Sequence, residues 1–292
     1  MPYTENKNVI VTGCSSGIGK ATASLLKENG WRVFATARSQ KDVNALLQEG
    51  FEACKLDLED SCSIRHAFDF ILSKTEGKLY ALINNAGFGL ISAIEDLERE
   101  EMRKQFETNV FGPQELTNLA IQVFRKQGFG RVVTISSLVG KIPLPFTGAY
   151  CASKFALEAL SDAMAMELNG TNIHISLIEL GSITKTEFNK NAIEKLYKKS
   201  TETSYHKQAY KNIAYNTRMC MDKAKNNTVK NENCPYIIAR AVENILKSKK
   251  PRMRYFIRLK WMILWFAAKI LPQNILNGLI KKYRQNTFKQ QQ

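Results

Sequence analysis

Short apolar runs alternate with longer amphipathic stretches along the first two thirds of the chain. The run Val9-Ile10-Val11 leads into a glycine-rich turn, and residues 20–29, closed by Gly30, carry a helical pattern. Residues 31–37, 51–56, 79–83, 131–135 and 173–178 read as five further strands. Strands separated by helix-length segments imply βαβ units and a parallel sheet. Right-handed crossovers then wind the chain into a doubly wound α/β fold of the Rossmann type, helices covering both faces.

The pattern weakens after residue 184. Residues 184–233 are rich in Lys and Asn and suit a mobile helical insertion over the active end of the sheet. Cys234-Pro235 opens a helix over 236–247, and residues 251–288 are basic and aromatic. With 292 residues, 44% of them apolar, the chain has enough for one large domain and little for a second. Residues 1–184 are therefore expected to form the dinucleotide-binding and catalytic core. Residues 185–292 are expected to add a substrate-covering helical segment and a tail to the same domain.

Charge sharpens that division. Residues 1–184 hold 18 Lys and Arg against 21 Asp and Glu, whereas residues 185–292 hold 24 against 6, a net +18. The basicity points to an anionic partner of the last third, such as a membrane surface or an acidic substrate. Within it, residues 255–271 interleave Trp, Phe and Leu with Arg258, Lys260 and Lys269. The longest uncharged run there, residues 261–268, is far short of the roughly 20 residues a membrane span needs. Two readings stay open: these side chains line the substrate pocket or a subunit contact, or they form an interfacial helix. No nucleic-acid-binding module is evident.

Six cysteines, at 14, 54, 62, 151, 220 and 234, form no CxxC pair and read as reduced thiols. Three scattered histidines offer no metal site. The N-terminus lacks the basic and apolar regions of a secretory signal. A cytoplasmic protein is expected, with peripheral membrane association as the variant the tail allows.

Three motifs carry chemistry. Gly13, Gly17 and Gly19 follow a strand and open a helix, a place where backbone N–H groups and the helix dipole receive a phosphate. The second strand ends in Ala37 and Arg38, with no acidic residue for ribose hydroxyls; an arginine suits a 2′-phosphate, so NADP(H) is expected over NAD. Tyr150 and Lys154 stand four apart on a helix, and Ser137 ends the run 131–137. An ammonium beside a phenol favours the phenolate, and the set reads as proton carrier, modulator and orienter for interconverting an alcohol and a carbonyl.

These residues resemble the short-chain dehydrogenase/reductase family. The likeness rests on residues 12–19, Asp57, Asn84-Asn85-Ala86-Gly87, Asn109, Ser137 and Tyr150-x-x-x-Lys154, in family order over roughly residues 7–184. Residues 32–38 and 250–255 are similar to the branch handling steroids, retinoids and other lipophilic alcohols. The resemblance implies a sheet of about seven strands and Tyr150 as general acid or base. It implies that Lys154 also binds the nicotinamide ribose, that Ser137 polarises the substrate oxygen, and that Asn109 holds a helix kink and a relay water. Cofactor contacts are implied at Gly13, Ser15, Ser16, Gly17, Ile18, Gly19, Arg38, Asp57, Leu58, Asn85, Ala86, Gly87, Tyr150, Lys154, Gly181, Ile183 and Thr184. Asn85 also suits a structural tie between strands. Leu180 departs from the family's usual proline, leaving open whether Thr184 or Thr186 serves the carboxamide.

The family likeness further implies a homodimer or homotetramer built on helices around 101–126 and 150–168. Phe88, Leu90, Leu138, Val139, Ile142, Leu144 and Phe146 flank the catalytic loops and suggest a lipophilic substrate. The rival is a non-catalytic NADP(H)-binding sensor or scaffold, which the intact Ser137, Tyr150 and Lys154 set argues against.

Overall fold

The strands are apolar along nearly their whole length because helices cover both faces of the sheet they form. β1 (Asn8–Val11), β2 (Arg32–Ala37), β3 (Glu52–Lys55), β4 (Ala81–Asn84), β5 (Gly130–Ser137), β6 (Ile173–Leu180) and β7 (Arg254–Phe256) lie parallel, in the order β3-β2-β1-β4-β5-β6-β7. The computed structural model describes residues 7–181, 196, 204–225, 234–272, 274–276 and 278. The helices are α1 (Gly17–Glu28), α2 (Gln40–Gln48), α3 (Ser61–Lys74), α4 (Arg99–Phe106), α5 (Gly112–Gln127), α6 (Gly148–Glu167), α7 (Lys207–Lys225), α8 (Pro235–Lys247) and α9 (Leu259–Ile270).

One face of the sheet packs Val33, Ala35 and Ile178 against Leu26 of α1, Leu46 of α2 and Ile238, Val242 and Ile245 of α8. The other packs Ile10, Phe34 and Val132 against Ile64 and Phe68 of α3 and Leu116 and Phe124 of α5. The strand order reverses between β1 and β4, so their carboxyl ends open a crevice, the usual ligand site of such sheets. The doubly wound single domain with a seven-stranded parallel sheet is as the sequence led one to expect. The helix expected over 236–247 is α8.

One feature of the tail is not visible in its sequence, an edge strand, whereas a helix within residues 255–271 is one of the two readings the sequence leaves open. Residues 254–256 form the edge strand β7, paired with Leu177, Ile178 and Glu179, and α9 follows it. Three residues are too few to show alternation, and Arg254 reads as a solvated charge until its partners are known.

Candidate active site

The carboxyl end of β1 turns at once into α1. Ser16, the residue capping α1, is extended and its side chain makes no capping bond, and the first turn of α1 holds no acidic residue. The first N–H groups of this helix thus point toward the crevice without a side-chain cap, which fits a phosphate. Gly13 has φ +72°, and a Cβ there would lie 2.9 Å from Ala86 Cα. A Cβ on Gly19 would stand 2.1 Å from Gly13 O and 2.4 Å from Asn85 Nδ2. Only glycine lets the helix close on the loop.

Asn85 serves as the structural tie. Its Nδ2 donates to Thr12 O (2.8 Å) and Gly13 O (3.2 Å), while the N–H groups of Asn85 and Ala86 both donate to Thr12 Oγ1 at 3.0 Å. Thr12, fully buried, therefore clamps the β1 and β4 ends together, a role that its place before the first glycine marks only weakly. Ser15 is exposed, and Ile18 packs on the core. Cys14 is buried, its thiol donating to Val11 O at 3.1 Å and pushed up to about 12 by burial, so it is an inert turn residue.

At the adenine end Arg38 follows β2 with its side chain 69% exposed, 3.8 Å from Glu59. Asp57 caps the next turn, Oδ1 accepting from the Glu59 N–H at 3.1 Å and its own N–H donating to Ser63 Oγ at 3.0 Å. The Leu58 side chain is buried among α3 and α5 residues, which leaves only its backbone for a ligand. Gly87 is exposed beside Asn109.

Ser137 ends β5, and Tyr150 and Lys154 lie one turn apart on α6. Tyr150 and Ser137 are hydrogen-bonded through their hydroxyls, and Ser137 Oγ also meets Leu180 O at 3.2 Å. Lys154 Nζ donates to Ile135 O at 2.8 Å and lies 6.0 Å from the centre of the Tyr150 ring. Burial pushes the Tyr150 phenol up, only partly offset by Ser137. The lowered phenol expected from the sequence is therefore corrected: the ammonium is directed at a carbonyl, and desolvation outweighs it. Burial also brings Lys154 down to about 8, opposed by the Glu158 and Glu179 carboxylates.

Asn109 sits in a π-helical turn (Glu107–Phe111) joining α4 to α5, the kink expected of it. Its amide bridges elements: Oδ1 accepts from the Phe88 N–H (3.1 Å), and Nδ2 donates to Phe88 O (3.0 Å) and Ser153 Oγ (3.1 Å). With both ends of the amide so engaged, Asn109 positions α6 against the loop after β4.

Behind Lys154 lies a buried cluster that sequence reading missed. Glu158 and Glu179 are fully buried side by side; burial, then the neighbouring Glu158, pushes Glu179 well up, so that Glu179 favours its protonated form. Arg254 bridges them, Nη2 3.1 Å from Glu158 and Nε 3.2 Å from Glu179, and also pairs with Asp162 at 2.7 Å. Ser136 Oγ donates to Glu158 at 2.7 Å, and Lys141 is 3.7 Å away.

Of the apolar residues expected near the substrate, Leu90, Leu138 and Ile142 are core, whereas Phe88, Val139, Leu144 and Phe146 are half-buried and available to a ligand. Phe146, at φ +63°, packs on His206 and Tyr210, and the Tyr210 hydroxyl bonds to Asp96 and accepts from Ala93 N–H. α7 thus packs on the loops after β4 and β5 through Tyr210. Gly181 lies under the indole of Trp261, whose ring atoms a Cβ would meet at 2.1 Å. Ile183 and Thr184 lie outside the described residues. Among the described residues no His, Cys, Asp or Glu cluster suits a metal ion, and no helix is long and apolar enough to cross a membrane.

A phosphate-receiving helix start and a Ser-Tyr-Lys set at the carboxyl ends of one parallel sheet define a dinucleotide-dependent oxidoreductase of the Rossmann class. The chain belongs to the short-chain dehydrogenase/reductase family, whose short chain dehydrogenase model matches residues 7–196. It is 34% identical over 275 residues to the uncharacterized oxidoreductase YbbO of Escherichia coli (strain K12), covering 94% of each chain. It is 31% identical over 263 residues to 17-beta-hydroxysteroid dehydrogenase type 1 of Homo sapiens, covering 85% of this chain and 76% of that one. A short-chain dehydrogenase from Streptomyces avermitilis has the same fold, with a TM-score of 0.74 over 99% of both chains at 25% identity. The likeness to the steroid-handling branch accords with these relatives.

Proposed function

We propose that this protein interconverts a lipophilic alcohol and its ketone or aldehyde with NADP(H), Tyr150 carrying the proton. The carrying observation is the convergence of Ser137, Tyr150 and Lys154 beside Gly181, at the same sheet edge as the glycine loop. The residues suited to hold the dinucleotide are the α1 start with Gly13, Ser15, Ser16, Gly17, Ile18 and Gly19; Arg38, Asp57 and the Leu58 backbone; Asn85, Ala86 and Gly87; and Lys154, with Gly181, Ile183 and Thr184 following β6. When bound, the nicotinamide supplies or accepts the hydride.

Ser137 orients the substrate oxygen with its hydroxyl. In reduction Tyr150 hands its phenolic proton to that oxygen and is left as phenolate, which takes up a proton from solvent before the next turnover; in oxidation the phenolate accepts the alcohol proton and releases it to solvent. Lys154 places a positive charge beneath the site and attracts the ribose hydroxyls. Phe88, Val139, Leu144 and Phe146 give the pocket an apolar wall, consistent with a hydroxysteroid dehydrogenase among the relatives. In this reading residues 1–184 supply this machinery and residues 185–292 its cover and tail. Exposed Phe111, Phe155, Leu160 and Met166 on and beside α5 and α6 suit subunit contacts in a homodimer or homotetramer.

Exposure of Arg38 and the absence of a carboxylate on Ala37 favour the 2′-phosphate. Arg38→Ala is expected to raise the Kd for NADPH by about 10- to 100-fold and that for NADH by less than about threefold, on the scale of a charge-assisted bidentate bond. Fluorescence titration with both nucleotides measures this, and equal losses would refute the assignment. The substrate class is tested by comparing kcat/KM for ketosteroids, retinal and fatty aldehydes with that for small ketones; preference for the small ketones would refute the lipophilic reading.

A further inference from the structure

α9 presents an apolar stripe that the described fold leaves largely bare, with Phe266 at its edge touching Phe256 and Trp265. Leu259, Ile263, Phe266 and Ile270 are 67%, 59%, 49% and 79% exposed. Their spacings of four, three and four residues align them on one face at about 100° per residue. The opposite face is anchored: Trp265 is buried against Phe256, and Trp261 lies on Gly181. Lys260 and Lys269, both exposed, fall about a quarter-turn to either side of the stripe. Each holds its ammonium over a tryptophan, Lys260 at 4.5 Å from Trp261 and Lys269 at 4.2 Å from Trp265.

This is the cross-section of a helix lying in a lipid interface: apolar centre line, cationic flanks able to snorkel, and an aromatic side held by the protein. A second copy of the chain could cover an apolar stripe too, but it would gain nothing from flanking lysines within a segment of net +18. An anionic lipid surface matches both features. We propose that α9 lies along an anionic lipid surface with this stripe inserted among the headgroups. Because Trp261 anchors α9 on the carboxyl end of β6, the surface then lies beside the active-site mouth, where a lipophilic substrate dissolved in the lipid would enter. The seating on lipid stands independently of the oxidoreductase reading, whereas substrate entry rests on it.

The test uses the full chain and sucrose-loaded vesicles, of phosphatidylcholine alone or with about one-third phosphatidylglycerol. The wild type should sediment with the anionic vesicles, bind the neutral ones at least about tenfold more weakly, and be released by roughly 0.5 M salt. Ile263→Glu with Phe266→Glu should lower anionic-vesicle partitioning about tenfold or more. NADPH binding and the circular dichroism spectrum should remain unchanged. Wild-type protein left in the supernatant, or a double variant that binds as well as wild type, would overturn the proposal. So would equal binding to neutral vesicles. Loss of an oligomer in the double variant by light scattering, without vesicle binding by the wild type, would assign the stripe to a second copy instead.

Discussion

Tyr150→Phe should lower kcat by about 10²–10⁴-fold, the range associated with removing a positioned general acid. NADPH affinity should change less than about threefold, since the substitution removes a single hydroxyl and leaves the α1 cradle intact. The fold should hold as well, because the hydroxyl's partner, Ser137, keeps Leu180 O as a second partner. Initial rates and nucleotide titration on the same preparation read both quantities. The pH profile adds a second signature. Lys154 titrates at about 8 in the free protein, and loss of its charge removes the cation below the site. kcat/KM for NADPH, which reports free enzyme, should therefore fall as pH rises through about 8.

Arg254→Met should destabilise the protein by about 3–5 kcal/mol, lowering Tm by roughly 6–12 °C in thermal unfolding. The substitution removes the cation that bridges Glu158 and Glu179, both fully buried, and leaves Lys141 at 3.7 Å from Glu158 and the more distant Lys154 to offset their charge. The sign of its pH dependence follows from the direction of the Glu179 shift. A carboxyl raised above its unfolded value binds protons more readily folded than unfolded, so its contribution is full at low pH and is lost as pH rises through the folded value. Without Arg254 that value rises further. The gap between variant and wild type should therefore stay level at low pH and widen as pH rises through the folded value of Glu179, pushed up to about 9, and a gap that does not widen there would contradict a Glu179 carboxyl held protonated in the fold. A merely packed Arg254 would give a pH-independent deficit.

Much of this was legible in the sequence because it is local. The glycine spacing at 13, 17 and 19 and the four-residue step from Tyr150 to Lys154 are contained within one turn or one helix, so pattern alone places them. Long-range partnerships were not legible. Arg254 reads as one of many tail cations until β7 brings it onto Glu179, and Glu158 reads as a surface residue of α6 until Ser136 and Arg254 enclose it. Asn109 reads as a relay member, yet its amide is bonded to Phe88 and Ser153, from segments 21 and 44 residues away. The Tyr150 phenol was misjudged for the same reason: spacing shows that an ammonium is near, whereas burial, which wins, belongs to the folded chain. The exposed stripe of α9 needed the structure too, since Trp261 and Trp265 are as apolar in sequence as Ile263 and Phe266, and only folding distinguishes the anchored face from the bare one.

The most direct test of the central claim is to mix the protein with NADPH and a lipophilic ketone or aldehyde and to follow nucleotide loss and alcohol formation together. A proton-carrying Tyr150 in a hydride-transfer site predicts one alcohol formed for each NADPH oxidised, at a rate that Tyr150→Phe lowers by about 10²–10⁴-fold. NADPH that binds tightly, yet yields neither oxidised nucleotide nor alcohol across steroid, retinoid and fatty carbonyls, would contradict it and leave a nucleotide-binding sensor in its place.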